Sequence, residues 1–120
     1  MWLPAFGLIV GIIVGLVFSL SVPVEYARYT AIAILAALDS VLGAARAELE
    51  GEYDNTVFVT GLLVNSVVAG VLTFVGDRLG VELYLAAIVA FGVRLFNNLA
   101  VIRRLLLARR AGARRTQDSE

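Results

Sequence analysis

The 120-residue chain has no cysteine and no histidine, and all ten of its basic residues are arginine. Without cysteine there is no disulfide, no thiolate nucleophile and no cysteine-ligated zinc site. Without histidine, imidazole acid–base chemistry and the commonest metal ligand are gone. Charged residues are scarce at 17%. The few that exist can therefore be weighed one at a time.

What the chain has in quantity is oil. Hydrophobic residues make up 60% of it, and mean hydropathy is +0.88. An ordinary soluble domain is about 45–50% apolar, and a chain this short has too little interior to hide the excess. Lipid accepts apolar side chains on the outside of a protein, so the composition predicts an all-α integral membrane bundle. Barrel strands are excluded, because they alternate over about 10 residues, whereas the apolar runs here are continuous and longer.

Residues 1–24 carry no charge and exceed the roughly 20 residues that cross a core about 30 Å thick. The pair Ser19 and Ser21 has the spacing of a leader cleavage site. However, the start lacks a basic region, which argues for a retained helix. Polar residues around Glu25 and Arg28 break the first run. A second span is expected over 29–45, interrupted by Asp39, and an acidic segment over 46–55 follows it. A third span covers 56–75. Gly76-Asp77-Arg78-Leu79-Gly80 reads as a turn, and a fourth span from Val81 to Leu107 is interrupted by Arg94. Four crossings are expected; three is the alternative, should the second span be re-entrant. Residues 1–107 thus form the membrane domain, and 108–120 an arginine-rich tail whose composition predicts disorder.

Net charge is zero but unevenly placed. Residues 101–120 hold six arginines against Asp118 and Glu120, net +4, and the first hundred residues are net −4. Arginines gather on the cytoplasmic side of membrane helices. Arg103, Arg104, Arg109 and Arg110 therefore predict an inner-membrane protein with its C-terminus in the cytoplasm. Near the surface each also attracts anionic lipid by about 1 kcal/mol. No aromatic platform accompanies them, so nucleic acid is not an expected partner.

Gly7, Gly11, Gly15 and Ser19 recur every four residues and share a helix face. Glycines there let a second backbone approach closely, which is how helices associate where hydrophobicity gives no drive. That face serves packing within the chain or self-association. Gly61, Asn65, Ala69 and Thr73 form a similar row on the third span. Asp39 and Arg94 are the charges at mid-span depth, where a lone charge costs at least about 2.5–3.5 kcal/mol. They are expected to pair. Arg94, Asn97 and Asn98 share one face, and with Asn65 and Asp39 they make a candidate buried polar cluster. Arg46 and Glu50 have the spacing of a local ion pair. The acidic segment lacks calcium-loop spacing, so no metal or other cofactor is expected.

Several stretches carry a resemblance. These are Pro23-Val24-Glu25-Tyr26-Ala27-Arg28-Tyr29, Ala33 to Ser40, Arg46 to Gly51, Gly76 to Tyr84, and above all Phe91-Gly92-Val93-Arg94-Leu95-Phe96-Asn97-Asn98-Leu99-Ala100. Over roughly residues 1–105 the chain resembles the small basic protein family, bacterial membrane proteins with no established activity. Members are typically encoded beside cell-division and envelope genes in Gram-positive bacteria. The resemblance implies an accessory role there and supplies no catalytic residues. The zero net charge departs from the family's name.

Two functions follow as expectations. The first is a non-enzymatic membrane scaffold that meets copies of itself or other membrane proteins. The second is a small-molecule or ion-binding transporter subunit built on the mid-span polar residues. An open pocket of about 300 Å³ or more beside Arg94 favours the second.

Overall fold

A computed structural model describes residues 1–18 and 21–120. Ser19, the last position of the glycine row, lies outside the described residues. The elements are α1 (Trp2–Phe18), a short 3₁₀ turn (Val24–Tyr26), α2 (Ala27–Leu49), α3 (Asn55–Leu79) and α4 (Tyr84–Asp118). Among the described residues there is no strand. The fold is the all-α membrane bundle that the composition requires.

Local chemistry sets the boundaries. The Asp54 carboxylate accepts from the backbone N–H of Thr56 at 2.7 Å and of Val57 at 3.1 Å, which caps α3. Gly80 ends the same helix at φ 69°, a left-handed cap that glycine adopts without penalty. The turn expected at 76–80 therefore lies one helical turn later. Gly76 is still helical, and it is where the next segment folds back. A Cβ there would sit 2.5 Å from the Val81 carbonyl oxygen and 3.0 Å from the Leu83 nitrogen.

The tail expected to be disordered is helix instead. α4 runs for 35 residues to Asp118, about 20 Å longer than a hydrocarbon core requires. Leucine, alanine and arginine are strong helix formers, and from Arg103 to Arg115 only Gly112 interrupts them. The arginines crowd the C-terminal end, where positive charge complements the helix dipole.

α2 is the central element, packed most extensively on α4 and then on α3. Contacts between α2 and α4 climb both helices in the same order. Arg28 lies over the Tyr84 ring, Asp39 meets Arg94, Arg46 meets Asn98, and Arg109 reaches Leu49. The two helices are thus parallel, and α3 is the return leg. Their shared core is Ile32, Ala36, Ala69, Ala87 and Phe91. It is rich in small residues, as helix packing in lipid demands.

Among the described residues three helices, counting the 3₁₀ turn with α2, are long and apolar enough to cross a membrane. α1 has 17 residues, about 25 Å of helix, and it packs on α2 only lightly.

Candidate mid-span polar site

Asp39 occupies the middle of α2 and is 0% exposed. Its Oδ2 lies 3.2 Å from Nη2 of Arg94 on α4. The contact is one of opposite charges without an aligned hydrogen bond. Neither Asp39 oxygen has a hydrogen-bond partner among the described residues, and neither does Ser40 Oγ, also buried. The Arg94 side chain, by contrast, is 56% exposed on the bundle surface. One half of the pair is sealed and the other is open.

The remaining predicted residues divide around this pair. Asn98 is buried, accepts from Arg46 Nη1 at 3.3 Å, and lies 3.7 Å from where a Gly43 Cβ would stand. Arg46 also reaches Glu50 at 3.0 Å. Asn65 is half-buried and Asn97 is exposed. The cluster is therefore not wholly buried as expected. Asp39 and Asn98 sit inside, while Arg94 and Asn97 look outward. The i, i+3, i+4 spacing placed all three α4 residues on one face, but that face is wider than the α2 seam that covers it.

Two crevices meet at Arg94. One, of about 260 Å³, lies between α2 and α3 and includes Asp39, Ser40, Asn65, Glu52, Asp54 and Arg94 in its lining. It exists because α2 and α3 splay. On α3, Ala69, Thr73 and Gly76 are buried, whereas Gly61 and Asn65 line the gap. The other, of about 440 Å³, lies between α2 and α4 and is bordered by Arg46, Glu50, Arg94, Asn97 and Asn98; it exceeds the size expected of a ligand-binding pocket beside Arg94 and so favours the ligand-binding reading. Tyr53 stands at the rim of the first. Desolvation, then the charges of Glu48 and Asp54, raise its phenol above the ordinary value. It remains a neutral donor, to Asn55 at 2.7 Å.

The predicted packing glycines do not pack within the chain. A Cβ added at Gly7, Gly11, Gly15 or Gly61 meets nothing within 4 Å among the described residues. Gly7 and Gly11 instead line an apolar groove of about 570 Å³ between α1, α2 and α3. The close approach occurs at Gly76. Arg103, Arg104, Arg109 and Arg110 are exposed along α4, and Arg109 donates to the Leu49 carbonyl at 3.2 Å, near the end of α2.

One cluster escaped the sequence reading. At the opposite end, Arg28 reaches Asp77 at 3.2 Å and Glu82 at 3.7 Å, and stacks on Tyr84 at 4.8 Å. The Tyr29 hydroxyl donates to Asp77 at 3.4 Å. Opposite charges flanking two successive spans were the available signal. Among the described residues, no group of three or more acidic side chains is placed to hold a metal ion.

Known sequences resemble this chain along most of its length. The "Small basic protein" of Bacillus subtilis is 55% identical over 109 residues, covering 91% of this chain and 90% of the relative. Uncharacterized proteins of Mycobacterium bovis and Mycobacterium tuberculosis are each 48% identical over 101 residues, covering 82% of this chain and 84% of theirs. No solved structure matches. Both polar crevices fall within residues 22–107, the stretch matched by the family described as "Protein of unknown function (DUF1290)", and it is to this family that the chain belongs.

Proposed function

We propose that the protein is a non-enzymatic membrane scaffold, an assembly subunit that is incomplete alone. The observation that carries this is Arg94. It lies level with the middle of α2, yet more than half of its side chain is exposed on the bundle surface. At that depth in lipid an open guanidinium is strongly unfavourable, and a neighbouring chain would cover the two crevices it lines. Asn97 on the same helix and the vacant glycines of α1 offer further surface for such a neighbour.

The neighbour is a second copy or another membrane protein of division or envelope assembly, the setting the family resemblance implies. The arginines of α4 support a cytoplasmic location for their end of the bundle, in an inner membrane. Pro4 and Phe58 border the same groove, so α1 starts at that end too. Four crossings follow, with α1 the short one.

Because the natural chain has no cysteine, single-cysteine variants test this cleanly. Asn97→Cys and Gly11→Cys are oxidised in native membranes, and any linked chain is identified by mass. Adducts at either position support assembly; their absence at both overturns it.

A further inference from the structure

Asp39 is buried, and although its Oδ2 lies 3.2 Å from Arg94, neither of its oxygens has a hydrogen-bond partner among the described residues. The adjacent Ser40 Oγ is in the same condition. A buried carboxylate oxygen and hydroxyl left unmatched in an apolar bundle are costly. Both residues line a crevice that Asn65 lines from the facing helix. Glu52 and Asp54 line it as well, at the loop end. The crevice is thus acidic toward the loop and rich in oxygen acceptors at depth, with Arg94 its one cation among the described residues.

We propose that Asp39 is the seat of a monovalent metal cation, which enters along this crevice and takes the place of the Arg94 guanidinium. Hard cations take oxygen ligands. The Asp39 carboxylate, Ser40 Oγ and the Asn65 amide oxygen provide three types of them. A single carboxylate at depth suits one positive charge, and the many-carboxylate sets that hold calcium are absent among the described residues. Arg94 has somewhere to go. It also lines the second crevice, which is bordered by Glu50, and a long arginine side chain can reach toward that polar end. Arg94 is then a built-in stand-in for the cation, holding Asp39 neutralised while the site is empty.

This inference does not rest on the scaffold reading, and its test uses purified protein without partners. The full chain, in detergent, is melted in sodium, potassium, lithium or choline chloride at equal ionic strength. At least one alkali salt is expected to raise the midpoint above the choline value, with saturation. Asp39→Asn should abolish that increment. Arg94→Gln removes the internal competitor, so it should start from a lower midpoint yet half-saturate at about tenfold lower salt. Glu52→Gln, at the exposed rim, should fold normally and weaken the response. Equal midpoints in choline and in every alkali salt overturn the proposal on the parent protein alone. So does an increment that survives Asp39→Asn, or one that Arg94→Gln loses.

Discussion

α1 and α2 make an instructive pair. α1 is free of charge and the more apolar of the two, yet Pro4 is its only buried residue among those described. α2 carries Arg28, Asp39, Arg46 and Glu48 and is the helix around which the bundle is built. In water the more apolar helix would be the more buried. In lipid, apolar side chains are as content outside as inside, and helices are drawn together by small residues and polar contacts. α2 buries Ile32, Ala36, Asp39 and Ala44. It is held by ion pairs near its start and at mid-span and by hydrogen bonds near its end. Polarity, not oiliness, marks the centre of this molecule.

The sharpest way to break that contrast is to remove the polarity from α2. Asp39→Asn strands the arginine, and Arg94→Gln strands a fully buried carboxylate. Breaking one partner of a buried pair costs about 3–5 kcal/mol. The open side of Arg94 makes the lower end of that range the expectation, with Arg94→Gln the worse of the two. The double variant should be milder than the sum, because no charge is left unpaired. Denaturant unfolding in micelles measures all three. If each single variant unfolds like the parent, the pair does not hold α2 in place.

A second test is steric. The backbone of Val81 and Leu83 lies against Gly76, where a Cβ has no room. Gly76→Ala should cost about 1–3 kcal/mol, the usual range for overpacking. Gly70→Ala, on the same helix with open space around it, is the matched control and should change little. Equal stability of the two variants would mean that the turn adjusts freely and that the α3–α4 approach is not set by this glycine.

These contrasts also show what the sequence makes legible. Spans can be read because continuous apolar runs have one physical solution in lipid. The contact between Asp39 and Arg94 was foreseeable, since charges at that depth have few places to turn. The glycines were harder to read. Gly7, Gly11 and Gly76 all say that a side chain is unwanted, but spacing does not reveal what approaches. At Gly76 it is the backbone five to seven residues further on; at Gly7 and Gly11 it is a groove. The helical tail is not legible from composition, because its polarity points to disorder while its alanines and arginines favour helix. The outward turn of Arg94 and Asn97 depends on how far α2 wraps around α4, which no local pattern contains.

The smallest expected effect on stability is the most informative about assembly. Gly11→Leu adds a large side chain facing the α1 groove. Beyond the backbone of its own helix and its chain neighbours, no atom of the described chain lies within 4 Å of the first carbon it adds, and leucine favours helix more than glycine does. The unfolding midpoint of the purified protein should therefore stay within about 0.5 kcal/mol of the parent, as for substitutions away from packed features. In native membranes the same change should abolish crosslinking from a cysteine at Gly7, one turn away on the same face, if another helix docks there through close backbone contact. A cysteine at Asn97 reports the separate α4 surface and should keep its adducts. Loss at both positions would mean that α1 shapes the whole assembly. Retention at both would mean that the neighbour at the α1 face does not need close backbone approach at Gly11.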